Sequence, residues 1–242
     1  MAYKRVLLKL SGEALAEVDE AGQPQSLSNR MLHKIAADIH TATLSCIQVC
    51  VVIGGGNIFR GDKGSQVLGI DRSTCDYMGM LATVINALAL QNALEQNDMV
   101  CRVMTAIPMK AIGEDYVRRR ALSHMEKGRV VIFAAGSGNP FFTTDTAAAL
   151  RALEMDCELL LKATKVDGVY DKDPIKHTDA KHYDRLSYND ILSDRLGVMD
   201  ATAVALLREH KLPLAVFSIF EENGFANVLA GKGKHTLITQ PE

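Results

Sequence analysis

The sequence predicts a three-layer α/β/α fold, a central and mostly parallel sheet covered by helices on both faces, and three observations predict it. Apolar, β-rich runs alternate with helical patterns along almost the whole chain, the pattern left by strand-helix-strand crossovers. The run Arg129 to Ala135 has no polar residue after its first, the composition of a strand buried on both faces. Of the 242 residues, 48% are hydrophobic, enough to fill the core of one large domain.

Taken in order, strands are expected at Arg5 to Leu10, Ile47 to Ile53, Met99 to Met104, Arg129 to Ala135, Glu158 to Lys162 and Leu214 to Ile219, each a short apolar run. Helical patterns fall between most of them, over Asn29 to Thr43, Tyr77 to Leu94, Tyr116 to Lys127, Thr146 to Glu154 and Ala201 to His210. Tyr77 to Leu94 is the longest uncharged stretch and approaches membrane-spanning length. Thr83, Asn86, Gln91 and Asn92 interrupt it, so it reads as a mostly buried helix. Asp171 to Arg185 is charged and irregular, a mobile surface excursion rather than a boundary. Neither a repeat nor a low-complexity linker divides the chain, which is read as one domain over residues 1–242 with a subtle division near residue 160.

Charge and cysteine usage exclude several classes. A formal net charge of -2 argues against a dedicated nucleic-acid binder, which carries a strongly basic face. Five scattered cysteines without a Cys-x-x-Cys pair indicate neither a disulfide framework nor a zinc site. Met1 to Arg5 runs straight into strand-like Val6-Leu7-Leu8 with no cleavage site or Arg-rich leader, so a cytosolic protein is expected.

The most informative segment is Gly136-Ser-Gly-Asn-Pro-Phe-Phe-Thr-Thr-Asp145, a strand-to-helix turn at the carboxyl edge of the sheet, where ligands bind. Gly136 and Gly138 let backbone approach a ligand, Pro140 stiffens the loop, and Thr143 and Thr144 put hydroxyls at a helix start, which suits an anion. An ordinary turn capped by Thr144, with Asp145 favouring the helix dipole, is the plain alternative. The first strand ends Lys9-Leu10-Ser11-Gly12, and the second ends in Gly54-Gly55-Gly56, whose amides can form an anion nest with Arg60 close behind. This is not a Walker A loop, because Asp62-Lys63 follows Gly61 where Lys-Ser/Thr is needed. It is not a dinucleotide fingerprint either, because Phe59 occupies the place of the last glycine. Lys162 to Tyr170 follows the fifth strand with two lysines, a threonine and an aromatic residue around a glycine turn. Alone it reads as a hairpin with solvated charges. In one parallel sheet, however, the loops after strands one, two, four and five can open on the same edge, gathering Lys9, Arg60, Lys162 and Lys165 into one basin. Such a basin suits phosphoryl transfer, which is mostly positioning and charge stabilisation.

These segments, together with Asp76 to Ala82 and Val198-Met199-Asp200, resemble in order the bacterial uridylate (UMP) kinases. The likeness runs from Tyr3 almost to the C-terminus and is carried most specifically by Gly138 to Asp145 and by Thr164 to Val169. It implies the amino acid kinase fold and an ATP- and Mg²⁺-dependent transfer to UMP. Lys9, Leu10, Ser11, Gly12, Gly56 and Arg60 would meet the ATP phosphates, and Thr164, Tyr170 and Asp173 the adenosine end. Gly55, Asp76, Ser137, Gly138, Asn139, Pro140, Phe141, Phe142, Thr143 and Thr144 would hold UMP, with Asp76 on the ribose hydroxyls. Asp145 and Asp200 match acidic positions that orient the cations or a Mg²⁺ shell. Acceptor loops would thus lie mainly in residues 1–160 and ATP loops in 161–242. The resemblance further implies a homohexamer inhibited by UTP and activated by GTP. Two departures set GTP control apart: Ala16 to Gln25 does not match the loop associated with it, and Gln91 stands where some relatives carry arginine. The rival readings are a kinase of the same fold acting on a carboxylate or carbamate, and a non-catalytic nucleotide or oxyanion binder.

Overall fold

β1 (Arg5–Leu10) lies at the centre of a nine-stranded sheet in the computed structural model, which describes residues 3–18, 21–194 and 196–240. The other strands of that sheet are β2 (Gln48–Ile53), β3 (Cys101–Thr105), β4 (Glu114–Asp115), β5 (Val130–Ala134), β6 (Leu159–Thr164), β7 (Arg185–Ser187), β8 (Leu214–Ser218) and β9 (His235–Thr239). Their spatial order is β7-β9-β8-β6-β1-β2-β5-β3-β4. Every neighbouring pair is parallel except β8 with β9. Leu7 of β1 sits beside Cys50 of β2 on one side and Leu160 of β6 on the other. The chain therefore starts in the middle of the sheet and builds outward both ways, which opens a crevice at the carboxyl end of β1.

The helices are α1 (Asn29–Thr43), α2 (Gly61–Leu68), α3 (Arg72–Glu95), α4 (Arg118–Glu126), α5 (Thr144–Glu154), α6 (Tyr188–Ser193), α7 (Ala201–Glu209) and α8 (Gly224–Leu229). Alternation along β1 sends Val6, Leu8 and Leu10 into a core shared with α1, α3 and α8, and Leu7 into a second core with α4 to α7. Lys9 has the parity of Leu7, so it points to the α5 side. This three-layer arrangement is the one the sequence predicts.

All six expected strands are present within one or two residues of their expected ends, and α1 has its expected bounds. α3 begins at Arg72 rather than Tyr77, because Asp71 caps it by accepting the Thr74 amide at 3.0 Å. Asp76 therefore lies inside the helix, not ahead of it. α5 begins at Thr144, and its cap is Thr143 rather than Thr144. The short elements α2, α6, α8, β4, β7 and β9 escape the sequence reading. Val169–Tyr170 pairs antiparallel with His182–Tyr183, so the charged excursion is a long hairpin. On α3, Tyr77, Leu81, Ile85 and Leu88 are exposed, whereas Val84 and Asn86 are buried.

Candidate active site

The loops after β1, β2 and β5, with the starts of α3, α5 and α7, enclose a cleft of about 620 Å³, a size that suits a small-molecule ligand. At its floor Lys9, only 6% exposed, places Nζ 2.9 Å from Asp145 Oδ1, a charge contact set at a poor angle for a hydrogen bond. Lys162 donates to Asp145 Oδ2 at 2.8 Å and also to the Val198 carbonyl. Burial alone would push the Asp145 carboxyl up, but the two lysines outweigh it and hold it below the usual carboxylate range. Burial and the neighbouring Lys9 charge pull Lys162 down, and Asp145 offsets part of that. One largely buried carboxylate thus braces two ammonium groups.

Two helix starts meet beside this triad. Thr143 caps α5, its hydroxyl accepting the Asp145 and Thr146 amides at 3.1 and 3.3 Å. Asp200 caps α7 by accepting the Ala203 amide at 3.0 Å. The caps are joined: Thr143 donates to Asp200 Oδ2 at 2.5 Å, and the Thr146 hydroxyl lies 2.9 Å from both carboxylate oxygens. The positive ends of two helix dipoles are brought together next to Lys9 and Lys162, which favours a multiply charged anion.

Across the cleft, Gly12 packs so closely on the β2 loop that a Cβ there would lie 2.7 Å from the Gly56 nitrogen and 2.9 Å from the Gly54 oxygen. Gly55 is pressed on α3 in the same way, 2.7 Å from the Gly79 carbonyl. Buried Asn86 of α3 donates to the Gly54 carbonyl at 2.7 Å and bonds Asn57 side chain to side chain. Asn86 is therefore spent inside the domain and is not free to pair across a subunit interface. Arg60 forms an ion pair with Glu13, whose other oxygen is 3.8 Å from Lys165. The two arginines among the described residues that line the cleft, Arg60 and Arg72, are each matched by a carboxylate, Glu13 and Asp76.

The loop from Ala135 to Thr143 leaves β5 through a run of left-handed conformations, Ala135 (φ 60), Gly136 (φ 57), Gly138 (φ 80) and Phe141 (φ 69). Asp76 holds its far end: Oδ2 accepts the Phe141 amide at 2.8 Å, and Oδ1 accepts from Arg72 at 2.8 Å. Ser137, Phe142, Thr143 and Thr144 line the cleft together with Lys9, Ser11, Gly12, Gly55, Gly56, Arg60, Asp76, Asp145 and Asp200. Gly138, Asn139, Pro140 and Phe141 are not part of that lining, and Phe141 is 67% exposed. Leu10 turns its side chain into the core and gives its carbonyl to the Gly54 amide at 2.9 Å.

The residues assigned to the adenosine end sit apart from this cleft. Thr164 accepts the Val166 amide at 3.0 Å, and Asp173 accepts the Ile175 amide at 3.0 Å, each within its own turn. Tyr170 donates to Asp167 at 2.5 Å, and Lys234 bridges the pair. Sequence reasoning missed Glu13, Asn57, Arg72, Asn86 and Lys234. Glu13 follows directly on the Lys9 to Gly12 segment, and that adjacency was the one available signal.

Among the described residues no three His, Cys, Asp or Glu side chains are grouped to hold a metal. Asp145 and Asp200 already meet lysines, hydroxyls and amides, so the donor set fits a divalent ion carried on a bound polyphosphate better than one held by a protein cage.

The model of the amino acid kinase family matches residues 4–218. A uridylate kinase of Roseobacter denitrificans is 55% identical over 237 residues, 98% of this chain and 96% of the relative. The solved structure of a UMP kinase from Bacillus anthracis superposes with a TM-score of 0.93 at 42% identity, covering 100% of this chain and 98% of the other. A UMP kinase from Ureaplasma parvum gives a TM-score of 0.91 at 37% identity, covering 99% of this chain and 100% of the other.

Proposed function

The chain belongs to the amino acid kinase family, and from that premise we propose that it is a uridylate kinase, moving the γ-phosphoryl group of ATP to UMP to give ADP and UDP for pyrimidine nucleotide synthesis. The observation that carries the reading is the pair Lys9 and Lys162, braced by Asp145 at the joined starts of α5 and α7. Fixed positive charge in a largely buried site is what a transfer between two anions requires. A phosphate oxygen of UMP attacks the γ-phosphorus, the bond to the bridging oxygen breaks, and ADP leaves with the electron pair. The acceptor needs no general base, because the second pKa of a phosphate monoester is about 6 and the dianion prevails at neutral pH. Lys9 and the amides of Gly55 and Gly56 offset the repulsion between the two phosphates and stabilise the equatorial oxygens of the transferring group. Arg60 exchanges Glu13 for a phosphate as ATP enters. Asp145 does not take the proton; it orients the two lysines. A Mg²⁺ ion carried on ATP, its shell held by Asp145 and Asp200, would supply charge withdrawal from the phosphate oxygens.

In this reading Ser137 to Thr144 surround UMP, with Asp76 at the ribose, and Thr164, Tyr170 and Asp173 receive the adenosine. An ADP-release assay with UMP, CMP, dUMP, AMP, GMP, acetylglutamate and carbamate as acceptors tests it. Turnover with UMP is expected. Turnover with acetylglutamate or carbamate instead would move the chain to the carboxylate branch, and none at all would leave a binder.

We further propose a cytoplasmic homo-oligomer, a hexamer on the strength of the resemblance, with UTP as inhibitor. α3 is long and apolar enough to cross a membrane by length and composition, and half of its most apolar window is buried inside the domain. Its outward stripe of Tyr77, Leu81, Ile85 and Leu88 suits a second copy of the chain. Val84 on the same helix is buried and lies outside the stripe, which is therefore tested at the exposed Leu81 and Ile85. L81E/I85E is expected to dissociate the assembly in analytical ultracentrifugation, and an unmodified protein that is already monomeric would end the proposal. GTP activation is not part of the proposal, because Ala16 to Gln25 and Gln91 depart from the pattern associated with it. Residues 19 and 20 of the departing stretch lie outside the described residues.

A further inference from the structure

Thr83 lies on α3 with its side chain turned into the domain, and it is only 5% exposed. Its hydroxyl has one proton, which it gives to the Met80 carbonyl at 2.7 Å. Toward any other neighbour it is therefore an acceptor only. The donor it receives is the Ala135 amide, also at 2.7 Å. Ala135 is where β5 gives way to the acceptor loop, and its φ of 60 is a conformation that an alanine holds only when its surroundings impose it. The other side of the same peptide is fixed too, because the Ala134 carbonyl accepts the Ala106 amide at 3.1 Å. The loop then folds back: the Ala135 carbonyl accepts the Gly138 amide at 2.9 Å. Gly138 fits against Ala106, where a Cβ would come within 3.1 Å of the carbonyl oxygen.

One peptide plane is thus clamped from α3 on one side and from the end of β3 on the other. Asp76, roughly two turns earlier on the same helix, takes the Phe141 amide at 2.8 Å. A single helix holds both ends of the loop from Ala135 to Phe141.

We propose that Thr83 is a positioning residue for the phosphoryl acceptor: through the Ala135 amide it sets the angle at which the loop leaves β5, and so the place of Ser137, Phe142 and Thr144 in the cleft. The proposal rests on the reading that this loop binds UMP. Thr83→Val keeps the shape and removes the acceptor, leaving the Ala135 amide buried without a partner. Thr83→Ser keeps the hydroxyl.

The test is steady-state kinetics with titration of UMP binding for T83V, T83S, T83V/A135G and, as a probe of the underlying reading, D76N. T83V is expected to raise the KM for UMP at least tenfold while the KM for ATP changes less than twofold. T83S should stay within threefold of the unmodified enzyme. T83V/A135G should recover part of the loss, because glycine adopts the left-handed conformation without needing the clamp; it also serves if T83V alone does not fold. A general loss of structure would raise both KM values together and would not be relieved by A135G, and that outcome overturns the proposal. If D76N weakens UMP and T83V does not, the role of Thr83 falls alone. If neither affects UMP, the assignment of the loop falls with it.

Discussion

The two loops that serve the two expected nucleotides are held in different ways. Residues 135 to 145 are held by side chains largely removed from water: Thr83 of α3 at Ala135, Asp76 of the same helix at Phe141, and the Lys9-Asp145-Lys162 triad at the end. Residues 164 to 170 are fixed by Lys234 and Thr236 at the start of β9, near the edge of the sheet. Thr236 is buried and accepts the Val169 amide at 2.7 Å, but Lys234 is about half exposed. Interactions removed from water are worth more and are screened less. In the proposed function the acceptor side is therefore built in advance, whereas the donor side is tethered by contacts that solvent weakens. A phosphoryl acceptor must meet the γ-phosphorus in line, and an adenosine needs only to be anchored. The distribution of strong contacts follows that difference.

Breaking the acceptor side at the carboxylate shared by its two lysines should have the largest effect. Asp145→Asn leaves Lys9 and Lys162 facing each other without a counter-charge, and loss of one partner from a buried pair costs about 3–5 kcal/mol. The pH dependence has a definite sign. The folded-state pKa of Asp145 lies below its ordinary value, so the stabilisation is complete above about pH 4 and is lost only as the pH falls through that depressed value. Denaturant unfolding of both proteins should show a constant deficit for D145N from pH 6 to 8 that narrows below pH 4. A deficit that grew on acidification would contradict the triad.

Next in size is Lys9→Ala, which tests chemistry rather than scaffolding. A cation at the transferring phosphate acts mainly in the transition state, and its loss should lower kcat on the order of 100-fold, about 2.7 kcal/mol, with a far smaller change in the KM for UMP. Kinetics on a variant shown to be folded by circular dichroism would decide, and an unchanged kcat would remove Lys9 from the mechanism. Asp76→Ala comes third. It removes the proposed ribose acceptor and at the same time releases Phe141, so UMP should weaken and its advantage over dUMP should narrow by about 1–3 kcal/mol. Equal loss for both acceptors would leave Asp76 only its hold on Phe141 and Arg72.

Much of this contrast could be read from the chain itself. Lys9, Arg60 and Asp145 stand at strand ends or helix starts, where local sequence announces their neighbourhood. Thr83 and Asn86 do not. Inside an apolar helical run they read as interruptions, and their partners Ala135 and Gly54 are 52 and 32 residues away. The start of α3 was placed late because Arg72 and Asp76, an i,i+4 ion pair, break the apolar periodicity that marked the rest. β9 was missed although its burial alternates along His235 to Thr239. Five residues after a Gly-Lys-Gly-Lys run give too short a window for that period to stand out, and nothing local tells an antiparallel return from a loop. Only β9 falls on the donor side, where the fold departs from strand-helix alternation; Thr83, Asn86 and the start of α3 belong to the acceptor side.

Lys234→Met addresses that side and should have the smallest effect. Lys234 Nζ lies 2.7 Å from Asp167 and 3.1 Å from the Tyr170 hydroxyl, and Tyr170 also meets the His182 ring edge-on at 5.1 Å. Methionine keeps most of the length of the lysine stem and removes its charge, so the Asp167 to Tyr170 turn loses one of its two ties to β9 while Thr236 keeps the other. An exposed ion pair contributes about 1 kcal/mol or less, which corresponds to a rise of up to about fivefold in the KM for ATP. The KM for UMP and kcat should stay within twofold, because no buried group of the acceptor side contacts Lys234. Added salt should weaken ATP binding in the unmodified enzyme more than in the variant, since only the former has that screened contact to lose. Kinetics at low and high ionic strength read both effects. If the variant instead raised the KM for UMP as much as that for ATP, the two sides would be mechanically continuous, and the contrast between a prebuilt acceptor site and a tethered donor site would have to be given up.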